Sequence, residues 1–206
     1  MKDITGVLLA GGKSRRMGFD KRFLKLDGET LLRRVLSVYE RLFTEIVIVV
    51  AEPTPELGDL GHRIVTDLIP NCASLGGLYT GLSIAGRTRI FAAACDMPFL
   101  NPAAIDYLVD LCEDDVVVPK LATGLQPMHA IYSKACLPYF KRMIDMHHLS
   151  IQEILENQEL RVRLVSEEEL RGVDPQLLSF LNLNTPADAE LAKIVVRRGL
   201  HRKDHA

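Results

Sequence analysis

Residues 4–21 constrain this chain more than any other stretch, because an apolar strand there runs straight into glycines and a cluster of cations. Ile4, Val7, Leu8 and Leu9 are bulky and partly β-branched, the composition of a buried strand. Ala10-Gly11-Gly12 removes side chains where that strand should end, so a ligand can approach the backbone. Glycine tolerates positive φ and leaves its N–H uncovered, which lets successive amides converge on an anion such as phosphate. Lys13, Arg15, Arg16 and Lys21 follow, broken by Gly18 and set against a single carboxylate, Asp20. Arginine suits phosphate geometry, so Arg15 and Arg16 are read as phosphate contacts in preference to partners of surface carboxylates.

Two familiar phosphate loops do not fit. A Walker A loop places four residues between its glycine and Gly-Lys-Ser/Thr, whereas Gly12 and Gly18 here enclose five and Phe19 follows. The fingerprint G-x-G-x-x-G is absent as well. The 206 residues suit one domain, and 48% hydrophobic content fills its core. A net charge of -2 argues against a nucleic-acid coat or a membrane binder, so any basic site must be local. No stretch reaches the ~20 apolar residues of a membrane span and Met1-Lys2-Asp3 begins no signal peptide, so a cytoplasmic location is expected. Cys72, Cys95, Cys112 and Cys136 show no zinc-ligand spacing, and Cys95 (in a strand) and Cys112 (on a helix face) read as small hydrophobes.

Along the chain, Phe23–Leu26 is a short alternating segment that turns at Asp27-Gly28, and helical spacing of Leu31, Val35, Leu36, Tyr39 and Leu42 predicts a helix from about Thr30. Glu45–Ala51 is a continuous apolar run, as in a parallel strand covered on both faces. Arg63–Thr66 is a shorter strand ending at Asp67, Leu75-Gly76-Gly77 opens a helix to about Ala85, and Ile90–Cys95 is a strand with Asp96 at its carboxyl end. A helix carrying Ile105, Leu108, Val109 and Cys112 follows, then a strand Val116–Val118 closed by Pro119, a strand Gln126–Tyr132 and a helix Ser133–Met146. Ser150 caps a further helix through Leu155, Arg161–Val165 suits a strand, and Glu167-Glu168-Glu169 starts a solvated helix. Phe180–Asn184 reads as a late strand before a closing helix capped by Thr185 with Pro186 at its first position. The tail 197–206 lacks a packing face and is expected to fray.

Strands alternating with helices predict an α/β fold of three αβα layers, with a mainly parallel, Rossmann-like sheet, over a single domain of residues 1–206. Such sheets bind ligands beyond the carboxyl ends of their strands. Gly11, Gly12, Asp67, Asp96, Asn182 and Asn184 all fall at or just past predicted strand ends, so they should converge. Chemistry at a bound phosphate gathers negative charge around phosphorus, and a protein serves it mainly by positioning and electrostatics. A carboxylate holding Mg²⁺ is the usual companion of phosphate-binding cations, since this hard ion keeps waters and substrate phosphates beside few protein ligands. Asp96, closing an apolar strand, is the expected metal ligand, with Lys21, Arg16 and Asp96 the expected catalytic set.

The string Leu9-Ala10-Gly11-Gly12-Lys13-Ser14-Arg15-Arg16-Met17-Gly18-Phe19-Asp20-Lys21 resembles the signature loop of nucleotidyltransferases that activate sugars, lipids and cofactors. Cys95-Asp96-Met97-Pro98, Leu125-Gln126-Pro127-Met128-His129-Ala130-Ile131-Tyr132 and Asn182-Leu183-Asn184-Thr185-Pro186-Ala187-Asp188 resemble, in order, the C-D-x-P, Q-P-L-x-A-L-Y and N-x-N-T-P-x-D/E motifs of molybdenum cofactor guanylyltransferases. This resemblance implies a nucleotide-diphospho-sugar-transferase-like fold and transfer of GMP from GTP to the terminal phosphate of Mo-molybdopterin, releasing pyrophosphate. It further implies that Leu9, Ala10 and Gly11 line guanine and ribose, that Gly12 belongs to the triphosphate cradle, and that Lys21 meets the phosphates. Asp67 would meet another part of the nucleotide, Asp96 both nucleotide and Mg²⁺, and Gln126, Pro127, Asn182 and Asn184 the pterin. Other cofactor-biosynthesis proteins and molybdoenzyme chaperones are the implied protein partners.

Two departures stand out. The family often carries Gly-Pro-Leu-Gly-Gly where this chain has Ala73-Ser74-Leu75-Gly76-Gly77, which is expected to loosen that turn. Many relatives carry an asparagine after the second long strand, where Val49-Val50-Ala51-Glu52 supplies none. The alternatives are a cytidylyltransferase for the same pterin, a sugar-phosphate nucleotidyltransferase, and a catalytically silent nucleotide-binding regulator. Sugar enzymes usually carry a further C-terminal module, and an intact Lys21 and Asp96 argue against a silent regulator.

Overall fold

β1 (Ile4–Leu9) is buried at every residue, Thr5 and Gly6 included, as in a strand covered on both faces. The computed structural model describes residues 3–11, 20–156 and 158–199. A 3-10 turn at Lys21–Phe23 leads into β2 (Lys25–Leu26), which pairs antiparallel with β3 (Glu29–Thr30). Asp27 and Gly28 between them take φ of 56° and 84°, the left-handed pair that a two-residue hairpin needs. Thr30 then caps α1 (Leu31–Leu42), its hydroxyl accepting from the Arg33 amide.

The chain continues through β4 (Ile46–Val50), β5 (Arg63–Thr66), α2 (Ala73–Ile84), β6 (Arg89–Ala94), α3 (Pro102–Asp110), β7 (Val116–Leu121), β8 (Gly124–Leu125) and β9 (His129–Ser133). α4 (Leu137–Asp145), β10 (Val162–Ser166), α5 (Glu167–Arg171) and α6 (Pro186–Arg197) complete the elements described. The sheet runs β10-β7-β9-β6-β1-β4-β5, with β8 beside β7. Neighbours are parallel except that β9 opposes β6 and β7, and β8 opposes β7. The expected three-layer, mainly parallel architecture therefore forms.

Alternation along β1 divides the core. Leu8 and Ala10 pack with Leu32, Leu36 and Tyr39 of α1 and Ile105 and Leu108 of α3. Val7 and Leu9 pack with Leu75, Leu78 and Leu82 of α2 and Phe140 of α4 on the opposite face. Each fully buried leucine contributes about 2 kcal/mol by leaving water. α2 comes so close that a methyl group on Gly81 would overlap the Val7 side chain, which is why glycine sits there.

Connectivity then creates a crevice. From β1 the chain steps outward through α1 to β4 and β5, then returns over the other face by α2 to β6, on the far side of β1. The carboxyl ends of β1 and β6 thus flank a topological switch point, where the chain leaves β1 through α1 toward β4 and leaves β6 through α3 toward β7, in opposite directions, and opens a cleft.

Several expected boundaries are corrected. Phe180–Asn184 is not a strand: a 3-10 turn occupies Leu178–Phe180, and the next residues lie outside the sheet, with Leu183 donating to the Asp96 carbonyl at 2.9 Å. Its period-two pattern reflects burial of Leu183 beside Leu26, Leu31, Phe99 and Ala192, not a ladder. The strand expected at Gln126–Tyr132 begins only at His129, because Pro127 occupies the second position of a turn closed by the His129 amide on the Gln126 carbonyl at 3.0 Å. β7 runs past Pro119 to Leu121; this proline lies where β7 exchanges β9 for β8 as its antiparallel neighbour, so its missing N–H breaks little. α2 begins at Ala73, two residues before the expected Leu75. α3 ends at Asp110, leaving Cys112 half-buried beyond it, and β6 ends at Ala94, leaving Cys95 in the turn that follows. The helix expected from Ser133 starts as a 3-10 turn, Lys134–Cys136, and Ile151–Glu156 is likewise 3-10.

The Ala73 departure has a direct structural cost. Ala73 takes φ 50°, a left-handed value at which its Cβ crowds the backbone and glycine does not. Its side chain is exposed, so nothing is lost by removing it. Ala73→Gly is expected to stabilise the protein by about 1 kcal/mol, raising Tm by roughly 2–4 °C in a thermal melt. An unchanged or lowered Tm would show that the turn is not strained.

Candidate active site at the carboxyl ends of β1 and β6

Beyond Leu9 the ladder extends on both sides. The Ala10 amide donates to the Val49 carbonyl at 2.8 Å, and the Cys95 amide donates to the Leu9 carbonyl at 3.0 Å, which brings Asp96 alongside Ala10. Ala10 is buried, and Gly11 faces the turn after β4: a Cβ there would lie 3.3 Å from the Ala51 nitrogen. Gly12 and Arg16, with Lys13 and Arg15, lie outside the described residues.

Lys21 and Asp96 meet across the switch point. Lys21 Nζ is 3.5 Å from Asp96 Oδ2 and donates to Asn184 Oδ1 at 3.0 Å. Both side chains keep limited access to solvent, 14% for Lys21 and 22% for Asp96. Burial lifts the Asp96 carboxyl above the ordinary carboxylate range, and the Lys21 ammonium offsets only part of that. Asn184 is aimed by the start of α6, where Asp188 Oδ2 accepts from the Asn184 and Thr185 amides at 2.9 and 2.7 Å and the Thr185 hydroxyl accepts in turn from the Asp188 amide. This reciprocal cap is the structural use of Thr185-Pro186-Ala187-Asp188.

Asp67 follows β5, its amide donating to the Val50 carbonyl at 2.9 Å. Its carboxylate lies against the first turns of α2, where a Cβ on Gly77 would be 3.8 Å from Oδ1 and 3.1 Å from Leu9 Cδ2. Burial pushes the Asp67 carboxyl up to about 6, and Oδ1 is buried without a hydrogen-bond partner among the described residues. An acceptor so placed is open to a donor brought by a ligand. Gln126 reaches the same edge because antiparallel β9 starts where the parallel strands end; its side-chain amide donates to the Gly124 carbonyl at 3.2 Å, within its own hairpin. Asn182 lies half-buried one residue before Leu183, whose amide is tied to Asp96.

Sequence reasoning missed Arg22, which sits between Asp20, Ala10 and Thr54; the signal available was an Asp-x-Arg spacing directly beside Lys21. It also gave no role to His129, which is fully buried between the rings of Phe91 and Phe180, at 5.1 and 4.7 Å between centroids. Burial alone lowers its pKa to about 3, so it stays neutral. A cleft of about 420 Å³ along α4, bordered by Tyr139, Arg142 and His148, shares no residue with the Lys21–Asp96 edge.

Among the described residues no three His, Cys, Asp or Glu side chains converge as a metal cage. One desolvated carboxylate beside a cation suits Mg²⁺, which keeps waters and substrate phosphates as its other ligands, and does not suit zinc. The arrangement can therefore grip a polyphosphate and steady charge developing on it.

Residues 6–162 match a family described as MobA-like NTP transferase domain. A molybdenum cofactor guanylyltransferase of Desulfosudis oleivorans is 40% identical over 202 residues, covering 97% of this chain and 98% of that protein. A probable molybdenum cofactor guanylyltransferase of Pelotomaculum thermopropionicum is 37% identical, covering 95% and 94%. The crystal structure of molybdopterin-guanine dinucleotide biosynthesis protein A from Archaeoglobus fulgidus matches with a TM-score of 0.84 and 28% identity, over 95% of this chain and 100% of that one.

Proposed function

This chain belongs to the molybdenum cofactor guanylyltransferases of the MobA-like NTP transferase family, and from that premise we propose how its residues divide the work. It is a nucleotidyltransferase that moves GMP from GTP to the terminal phosphate of molybdopterin, forming the guanine dinucleotide and releasing pyrophosphate. No helix among the described residues is long and apolar enough to cross a membrane.

Lys21 holds the triphosphate and Asp96 the divalent ion; what supports this is their 3.5 Å approach at the switch point between β1 and β6. Magnesium, when bound, supplies neutralisation of phosphate charge. Leu9, Ala10 and Gly11 present backbone and small side chains to guanine and ribose. The Asp67 oxygen that has no hydrogen-bond partner among the described residues accepts from a donor of the same nucleotide. Gln126, Asn182 and Asn184 face the pterin, and Asn184 couples the two halves through its bond to Lys21. Arg16 is proposed to join Lys21 on the phosphates. The attacking phosphate oxygen is already anionic, so no general base is needed, and the residues act by orienting the phosphates and stabilising their charge.

Pyrophosphate release from each nucleoside triphosphate, with Mg²⁺ and Mo-molybdopterin, tests the assignment. GTP is expected to be used roughly a hundredfold better than CTP, within the ~1–3 kcal/mol by which one bidentate pair of hydrogen bonds to a base edge discriminates against the wrong base. Equal use, or a preference for CTP, would reject guanylyl transfer in favour of the cytidylyl alternative.

A further inference from the structure

We propose that Arg22 is a positioning residue for Lys21, bolting the short turn that carries Lys21 to the end of β1 and to the loop after β4. A three-residue 3-10 turn has little intrinsic stability, and none of Lys21–Phe23 is buried. Left to itself it would not hold an ammonium at a fixed place. The Arg22 guanidinium braces it from three sides. Nε donates to both Asp20 carboxylate oxygens at 2.9 Å, and Nη2 donates to Oδ2. Nη1 donates to the Ala10 carbonyl at 3.2 Å and to Thr54 Oγ1 at 3.1 Å. Asp20 in turn caps the turn, its Oδ1 accepting from the Arg22 amide at 3.0 Å. The Thr54 hydroxyl donates its own proton to the Glu52 carbonyl at 2.9 Å, which leaves its oxygen free to accept from Arg22.

Arg22 therefore links Ala10, Asp20 and Thr54 through one planar fork, with only 15% of its side chain exposed. It also occupies Asp20, the carboxylate immediately before Lys21, which would otherwise compete with Asp96 for the ammonium. Lysine could not replace it: a single ammonium on a flexible stem lacks the fork that reaches a carboxylate, a carbonyl and a hydroxyl together.

This role rests on the assignment of Lys21 to the triphosphate, and a double-mutant cycle separates the two. Titration calorimetry with GTP and Mg²⁺ is run on the wild type, Lys21→Ala, Arg22→Ala and the double variant, each checked by thermal melting. Arg22→Ala is expected to weaken GTP binding about tenfold, and Arg22→Lys to restore little of it. In the Lys21→Ala background, Arg22→Ala is expected to add no further loss, because the residue it positions is gone. If the alanine variant does not fold, Arg22→Lys carries the cycle in its place. Additive losses, or unweakened binding in Arg22→Ala, would overturn the inference while leaving Lys21 its role. Wild-type GTP binding by Lys21→Ala would overturn both.

Discussion

Asp96→Asn is expected to lower turnover by about three orders of magnitude or more while the protein stays folded. The two side chains have the same shape, so packing against the end of β6 is kept, and the Asp96 carbonyl still accepts from Leu183. What disappears is the negative charge that the proposed role as ligand of a hard cation requires, and a metal-stabilised transition state would lose several kcal/mol with it, at 1.36 kcal/mol for each tenfold. The effect on folding should have the opposite sign. Burial already raises the Asp96 carboxyl, so a neutral amide removes a desolvation penalty, of which the Lys21 contact it forgoes offset only part. Turnover measured with GTP and saturating Mg²⁺, beside a thermal melt, checks both halves. Near wild-type rates would remove Asp96 from the metal site, and a collapse in Tm would mean that its role is structural.

Lys21→Ala should be the next most damaging change, with kcat/KM for GTP lowered about a hundredfold, the scale seen when one preorganised charge-stabilising donor is lost. The loss should fall on the nucleotide more than on the pterin, because Lys21 reaches Asn184, proposed to face the pterin, through a single side-chain hydrogen bond. Calorimetric titration of each substrate separates the two. A variant that binds GTP normally but has lost the pterin would place Lys21 on the other half of the reaction. Lys21→Arg should recover part of the charge but not the geometry, since a guanidinium cannot occupy the place of a compact ammonium between Asp96 and Asn184.

How legible the site was depended on how each residue is held. Asp96 and Asp67 could be located from the chain alone because each directly follows a predicted strand, and the carboxyl end of a strand is where an open α/β sheet presents its ligand edge. Thr185 and Pro186 announced α6 because a cap and its first-turn proline are local signals. Gln126 was expected inside a strand; its edge position follows instead from the reversed direction of β9 and the turn at Pro127, neither of which a strand-forming composition reveals. Arg22 was passed over because its three partners come from residues 10, 20 and 54, and only folding sets them around one guanidinium.

The sequence by itself determined the alternation of strands and helices, the glycines and cations after β1, and the family, because these depend on residue type and spacing along the chain. Only the tertiary structure decided that β6 returns beside β1, that Lys21 donates to Asn184, and that Leu183 lies against the end of β6 without joining the sheet. The physical reason is that local preference acts over a few residues, whereas strand order and side-chain meetings are selected by burying both faces of the sheet at once, and that constraint has no local trace.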